Sequence, residues 1–174
     1  MPLPVIELQG TGPLTEAGLG LGSNIGDKPA NIRRALELLE SRGIIRLTAV
    51  SSIYSTPPWG YLEQEFFANA CALGQTRLRP LELLAAVNAV EKDMGRQPSV
   101  RWGPRLIDID ILYLGGETFE HAQLTLPHKD LFARAFVLIP LTEIAPNLKI
   151  AGRSIAEAAA GFAAEPIEKW ESGK

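Results

Sequence analysis

The chain has 174 residues, of which 46% are hydrophobic and 21% charged, and this is the size and composition of one soluble globular domain. Its formal net charge of -3 argues against a general nucleic-acid-binding protein, because affinity for a phosphate backbone requires clustered positive charge. A single cysteine, Cys71, excludes an internal disulfide and a cysteine zinc site, and its apolar surroundings predict a small core residue.

Residues 1–17 are rich in proline and glycine, which predicts a flexible extension ahead of a single domain over residues 18–174. This extension has no basic region followed by an apolar stretch, as a signal peptide would have. No apolar run in the chain reaches the roughly 20 residues that span a bilayer. We therefore expect a cytoplasmic protein without a membrane segment.

The first half of the domain predicts a strand over residues 17–21 and then a helix. The helix begins at Asp27, with Pro29 in the first turn where its missing N–H costs nothing, and it ends at Gly43. Its apolar positions recur at helical spacing, at Ile32, Leu36 and Leu39.

Two further strands are predicted over residues 45–54 and 67–76, because both segments match strand patterns. Between them, the proline-rich residues 56–60 form a rigid segment that we assign to neither strand.

A second helix is predicted over residues 80–94 and a fourth strand over residues 106–114. The order of elements is that of an α+β fold with a ferredoxin-like split βαβ core, in which an antiparallel sheet carries helices on one face. From residue 119 onwards we expect an irregular C-terminal third with short helices, including one near residues 154–162.

The most informative segment is Asp108-Ile109-Asp110, within the fourth strand. Residues two apart on a strand share a face, so both carboxylates point one way, about 7 Å apart along the strand, while the isoleucines point into the core. Such a pair suits Mg²⁺, which takes few protein carboxylates and completes its shell with water and phosphate oxygens. The alternative is a solvated acidic face, but neighbouring like charges repel each other, so we favour a metal site.

Arginines cluster just before this strand, at Arg96, Arg101 and Arg105. Guanidinium groups chelate phosphate oxygens and neutralise charge during phosphoryl transfer, although an arginine on an ordinary surface is the alternative for each.

A flat heterocycle is the second ligand that the sequence suggests. Trp59, Trp102 and Phe136 are candidates to stack on its faces, and the amide of Asn69 offers both a donor and an acceptor to its edge. Core packing is the alternative for each aromatic residue.

In this order, the motifs resemble those of the hydroxymethyldihydropterin pyrophosphokinase family over about residues 18–146. The matching segments are Gly22-Ser23-Asn24, Ser55-Thr56-Pro57-Pro58, Phe67-Ala68-Asn69-Ala70, Arg101-Trp102-Gly103-Pro104-Arg105 with Asp108-x-Asp110, Leu126-Pro127-His128, and Arg134-x-Phe136.

The resemblance implies an enzyme of folate biosynthesis that moves the β,γ-diphosphate of ATP onto 6-hydroxymethyl-7,8-dihydropterin and releases AMP. We expect this enzyme to be a monomer. It implies two Mg²⁺ ions on Asp108 and Asp110, with Arg96 and Arg105 supporting the transfer. The implied pterin-binding residues are Thr56, Pro57, Trp59, Phe67, Asn69, Trp102 and Phe136. The implied ATP-binding residues are Glu91, Arg96, Arg105, Ile111, His128 and Arg134. Phe67 departs from the tyrosine often found there, which puts one hydroxyl contact in doubt.

Two other functions fit parts of the pattern. A ferredoxin-like module that binds a small molecule or nucleotide without turnover is one, since this fold serves many functions. Phosphoester hydrolysis at the Asp-x-Asp site is the other, and it would release product from ATP without a pterin.

Overall fold

The computed structural model describes residues 6–57, 65–95 and 106–171. The elements of the N-terminal two thirds are β1 (Thr15–Ser23), α1 (Lys28–Ser41), β2 (Arg46–Val50), β3 (Tyr54–Thr56), β4 (Phe67–Thr76), α2 (Pro80–Asp93) and β5 (Asp108–Leu114). The elements that follow are β6 (Phe119–His121), β7 (Leu124–Leu126), a 3-10 helix (Leu131–Ala133), α3 (Ala135–Ile144), β8 (Lys149–Ile150), β9 (Arg153–Ser154), α4 (Ile155–Ala160) and β10 (Glu168–Lys169).

The main sheet has the strand order β10-β3-β4-β1-β5, with β2 also paired to β4, and its pairings are antiparallel. This is the predicted split βαβ arrangement, with β1 in the middle of the core. Gly22 of β1 is paired with Asn69 of β4 on one side and with Asp108 of β5 on the other. The end of β1 therefore brings the motif that contains Asn69 and the Asp108-x-Asp110 motif into one row across the sheet.

Local sequence signals fix the ends of both long helices. The Asp27 side chain accepts from the Ala30 N–H at 3.1 Å and caps α1, as the sequence predicts. In α2, the Glu82 carboxylate accepts from the Arg79 N–H at 2.9 Å. Gly95 follows α2 with φ +91°, a conformation that side chains disfavour.

The strand predicted over residues 45–54 is two strands, and this boundary was wrong. Ser51 interrupts the ladder, because its hydroxyl accepts from the Cys71 N–H at 2.9 Å while its own N–H donates to the Cys71 carbonyl. Thr56 was also misassigned, since it pairs with Phe67 at the end of β3. Pro57 follows and ends the strand because it has no N–H.

At the N-terminus, β1 starts at Thr15, which corrects the boundary predicted at residue 17. Ahead of β1, the backbone N–H of Gln9 donates to the Gly43 carbonyl at 2.8 Å, and that of Gly12 donates to the Arg77 carbonyl at 3.0 Å. The flexibility of this extension in solution stays a prediction.

One face of the sheet packs on α1 and α2. Its buried residues are Ala17, Leu19 and Leu21 of β1, Ile109 and Ile111 of β5, Ile32, Ala35 and Leu39 of α1, and Leu83, Val87 and Val90 of α2. The isoleucines beside the aspartates are in the core, as predicted.

Part of the other face is covered by α3 and α4, in addition to the two helices expected on the first face. Val137, Leu138 and Leu141 of α3 pack with Cys71 of β4 and Ile155 of α4. The first seven residues of α3 are all apolar, and a helix with so little polar surface is stable only when it is buried. In the part of the chain that the structure describes, no helix has the length and apolar character needed to cross a membrane.

Candidate active site

A cleft opens on the face opposite α1 and α2, between the ends of β1, β4 and β5 and the start of α3, and its empty space including the solvent at its mouth is about 690 Å³. It is lined by Gly20, Leu21, Gly22, Thr56, Pro57, Phe67, Asn69, Ala70, Asp108, Asp110, Arg134, Phe136 and Val137. The structure thus brings together eight of the predicted site residues: Thr56, Pro57, Phe67, Asn69, Asp108, Asp110, Arg134 and Phe136.

The floor of this cleft is bare backbone. Gly20 and Gly22 alternate with the buried leucines of β1 and face the cleft. A Cβ added at Gly22 would lie 2.7 Å from Oδ1 of Asn69, so the amide occupies the space that a side chain here would need. Sequence reasoning missed this role of the glycines, although their spacing of two residues in a strand was a usable signal.

Asp108 and Asp110 project from β5 on the cleft side, opposite Gly22 and Gly20. Both are half-buried. Between them, Ile109 points to the core, and its N–H donates to Oε2 of Glu91 on α2 at 2.9 Å. The strand that carries the aspartates is therefore held from the opposite face of the sheet.

The donor set at this position fits Mg²⁺. Among residues 6–57, 65–95 and 106–171, no group of three or more His, Cys, Asp or Glu side chains is placed to hold a metal ion. Asp108 and Asp110 offer carboxylate oxygens only, and a pair of them is what Mg²⁺ takes when water and phosphate oxygens supply its other ligands. Zinc sites in proteins usually include imidazole or thiolate ligands, which this pair of carboxylates does not offer.

Arg134 lies at the edge of the cleft that carries Asp108 and Asp110, which we call the acidic edge. Its guanidinium is 3.3 Å from Oδ2 of Asp110 and 3.4 Å from Oδ2 of Asp130, and its central carbon is 5.6 Å from the centre of the Phe136 ring. The side chain is only 12% exposed. These contacts hold a fixed positive charge beside a carboxylate, at a place where an anionic ligand can reach it.

The other end of the cleft is suited to a flat polar ring. The Asn69 amide nitrogen donates to Oγ1 of Thr56, and both residues are buried, so the orientation of the amide is fixed. Phe67 of β4 and Phe136 of α3 add aromatic surface from two different elements.

His128 lies beside the acidic edge, after a cis peptide bond between Leu126 and Pro127. Its Nδ1 accepts from the Asp130 N–H at 3.1 Å, so a neutral ring carries its proton on Nε2. Burial lowers the pKa of His128, and the positive charges of Arg134 and Lys129 lower it further, against the opposite effect of Asp130 and Asp108. His128 is therefore a neutral N–H donor at pH 7.

Glu91 and Ile111 were predicted to contact ATP, and neither lines the described cleft. Each is 3% exposed, and Ile111 packs between the sheet and the two long helices. Their contact with a nucleotide stays a prediction. Trp59, Arg96, Arg101, Trp102 and Arg105 lie outside the described residues, so their predicted roles are untested.

Sequence reasoning also missed Glu143. This glutamate lies near the end of α3, and its carboxylate accepts hydrogen bonds from Ser52 and Tyr54. An acidic residue late in a largely apolar helix was the available signal, but it does not identify partners about 90 residues away in the chain.

Comparisons with known proteins agree on one family. The family model for 7,8-dihydro-6-hydroxymethylpterin-pyrophosphokinase matches residues 18–146, the span over which the sequence motifs predicted the resemblance. A 2-amino-4-hydroxy-6-hydroxymethyldihydropteridine pyrophosphokinase of Methylorubrum extorquens is 46% identical over 158 residues, covering 91% of this chain and 100% of that protein. The proteins of the same name from Bacillus subtilis (44% identical, 76% of this chain and 80% of the relative) and Pseudomonas aeruginosa (41%, 87% and 94%) are also similar.

Solved structures support the fold. A Plasmodium falciparum HPPK-DHPS crystal structure with pteroate superposes with a TM-score of 0.72 at 16% identity, covering 90% of this chain. The present chain spans 44% of that longer protein. The family model and the relatives, which this chain matches over most of its length, agree with the motifs that line the cleft. This chain belongs to the 7,8-dihydro-6-hydroxymethylpterin-pyrophosphokinase family.

Proposed function

We propose that the cleft between β4, β5 and α3 is where this protein, a pyrophosphokinase of folate biosynthesis, transfers the β,γ-diphosphate of ATP. The acceptor is the hydroxymethyl oxygen of 6-hydroxymethyl-7,8-dihydropterin, and the products are the pterin diphosphate and AMP.

The observation that carries this proposal is the row Asn69–Gly22–Asp108 across the sheet. Two strand spacings separate the buried amide from the first aspartate, about 10 Å. That is the length scale of a two-ring heterocycle with its hydroxymethyl arm. A pterin whose amide edge lies on Asn69 would therefore present its hydroxymethyl group towards the carboxylates.

On the pterin side, the side-chain amide of Asn69 would form hydrogen bonds with the amide edge of the ring, as a donor and as an acceptor. Its hydrogen bond to Thr56 fixes the orientation of this amide. Phe67 and Phe136 contribute aromatic surface for stacking. Pro57, Trp59 and Trp102 complete the pocket in this proposal.

On the phosphate side, Asp108 and Asp110 would hold two Mg²⁺ ions. When bound, such ions neutralise and orient the phosphate oxygens during an in-line transfer. Arg96 and Arg105 would neutralise charge on the transferred group, and Arg134 offers a third guanidinium at the cleft edge.

The nucleotide would be held by Arg134, the N–H of His128, Glu91 and Ile111, together with Arg96 and Arg105. Transfer to the hydroxymethyl oxygen would need no strong base, and either the Asp108 carboxylate, which lies in the same cross-strand row as Asn69, or a water held by the ions would accept its proton. Most of the rate enhancement would come from positioning and charge neutralisation, since phosphoryl transfer requires little covalent chemistry from the protein.

The decisive experiment uses the purified protein with ATP, Mg²⁺ and 6-hydroxymethyl-7,8-dihydropterin, followed by chromatography of nucleotides and pterins. We expect AMP and pterin diphosphate in equal amounts, and no AMP without the pterin. ATP binding without AMP would support the non-catalytic binding module instead. AMP or ADP released without the pterin would support a phosphoester hydrolase.

We also propose that the enzyme works as a monomer in the cytoplasm. Light scattering during gel filtration tests the monomer: a mass near 18.9 kDa is expected, and twice that value would contradict it. Fractionation of the producing cells tests the location, with activity in the membrane fraction as the contrary result.

A further inference from the structure

The carboxylate of Glu143 joins α3 to the segment between β2 and β3. Its Oε1 accepts from the backbone N–H of Ser52 and from the Tyr54 hydroxyl, each at 2.9 Å. Its Oε2 accepts from the Ser52 hydroxyl at 2.7 Å. Three donors from one short segment therefore converge on one side chain of α3.

The two elements joined in this way both contribute side chains to the proposed pterin pocket. The first turn of α3 carries Phe136, which lines the cleft. Tyr54 begins β3, and two residues later Thr56 holds the amide of Asn69. Glu143 is thus linked through α3 to Phe136 and through β3 to the Thr56–Asn69 pair.

The geometry favours an ionised Glu143. Burial by itself raises the pKa of this carboxyl, but the hydrogen bonds from Ser52 and Tyr54 and the charge of Lys169 outweigh that effect and hold the pKa below its ordinary value. Lys169 belongs to β10, where it is paired with Tyr54. The negative charge that accepts the three hydrogen bonds is therefore present at neutral pH.

Glu143 is nevertheless exposed to solvent. Exposed charged groups contribute little to stability, because water replaces the lost partners when the contact is broken. Apolar packing of Val137, Leu138 and Leu141 holds α3 on the sheet, and the three hydrogen bonds add a directional contact between α3 and the segment that leads into β3.

We propose that Glu143 is a positioning residue for the pterin, acting through α3 and β3 to set the spacing between Phe136 and the Thr56–Asn69 pair. This inference rests on the proposed function, since it concerns the affinity of the same cleft for its pterin substrate. Removal of Glu143 should weaken pterin binding more than ATP binding, because both linked elements meet at the pterin end.

The test compares Glu143→Ala with Glu143→Gln, Ser52→Ala and Tyr54→Phe. The pterin dissociation constant is measured with Mg²⁺ and a non-hydrolysable ATP analogue, and kcat and both KM values are measured by AMP release. Glu157→Ala is the matched control, because it removes an exposed glutamate from α4. Thermal unfolding of each variant establishes that it is folded at the assay temperature.

For Glu143→Ala we expect the pterin KM and dissociation constant to rise about tenfold, since small displacements of binding groups have large effects. The ATP KM should stay near the wild-type value. Glutamine retains one acceptor oxygen, so it should restore part of the affinity. Tyr54→Phe should have a smaller effect that does not add to that of Glu143→Ala, because both remove the same contact.

A folded Glu143→Ala protein that binds the pterin within about twofold of wild type would overturn the inference. A displacement of Phe136 relative to Asn69 should weaken pterin binding by much more than that. An equal loss in the Glu157→Ala control would also overturn it. Failure of the proposed function would look different, because the wild-type protein itself would then release no AMP in response to the pterin.

Discussion

The backbone N–H of Ile109 donates to the Glu91 carboxylate at 2.9 Å, so the residue between Asp108 and Asp110 is anchored by a helix on the opposite face of the sheet. Glu91 is 3% exposed and Ile109 is 5% exposed, which places this hydrogen bond in the core. A buried acceptor thereby restrains the strand that presents both carboxylates to the cleft.

Replacement of Glu91 should destabilise the protein through this contact. Glu91→Ala leaves the Ile109 N–H buried without its acceptor, and we expect a loss of about 2 kcal/mol in the free energy of unfolding. Glu91→Gln keeps a carbonyl acceptor and should lose less. Urea denaturation of the three proteins measures the difference, and equal stability of Glu91→Ala and wild type would contradict this account.

Gly22→Ala should weaken pterin binding, because the added Cβ would lie 2.7 Å from Oδ1 of Asn69 and displace the amide. Gly20→Ala should have a smaller effect, since its Cβ meets Leu112 at an ordinary 3.5 Å. Gly116 has open space around it and serves as the neutral control. Titration of each variant with the pterin measures its dissociation constant. If Gly20→Ala weakens binding as much as Gly22→Ala, the contact between the added Cβ and Asn69 is not the cause.

The two aspartates that contact Arg134 provide a matched pair for the metal proposal. Asp110 and Asp130 each lie about equally far from its guanidinium, at 3.3 and 3.4 Å, but only Asp110 is a proposed metal ligand. Asp110→Asn should lower kcat about 100-fold or more, and chelation of Mg²⁺ from the wild type should abolish turnover, since the metal stabilises the transferring charge. Asp130→Asn should retain much more activity. Similar losses in both variants would assign the effect to Arg134 instead.

The contribution of Glu143 to stability should depend on pH. Its pKa is below the ordinary value near 4.5, so as the pH falls the unfolded chain takes up this proton before the folded protein does. The stability that the carboxylate provides is therefore present above pH 4.5 and is lost as the pH falls through the folded pKa. For an exposed group it should not exceed about 1 kcal/mol. Urea denaturation of wild type and Glu143→Gln at pH 7 and pH 3.5 checks this, and a difference that grows at low pH would refute it.

Strong local periodicity explains which elements the sequence predicted well. The strand over residues 67–76 has the predicted bounds, and both long helices begin and end at their proline, aspartate and glycine signals. Alternation along β5 placed Asp108 and Asp110 on one face and the isoleucines on the other, as observed. These features depend on neighbours in the chain, so the pattern of residues was sufficient.

Features that depend on distant partners were not predictable in this way. The break between β2 and β3 follows from hydrogen bonds between Ser51 and Cys71 on the neighbouring strand. The packing of α3 over the second face of the sheet leaves no periodic signal, because its first seven residues are all apolar. The contacts of Glu143 connect positions 91 and 89 residues apart, and no local pattern encodes such a distance.

The position of α3 has a consequence for the way the cleft forms during synthesis. The split βαβ core ends with β5 at Leu114, whereas Arg134 and Phe136 enter the cleft from a later segment. A nascent chain that has released only the residues up to β5 therefore lacks side chains that line the cleft, and its pterin pocket is incomplete. A pterin analogue should therefore bind and stabilise chains that include α3 more strongly than chains that end at β5.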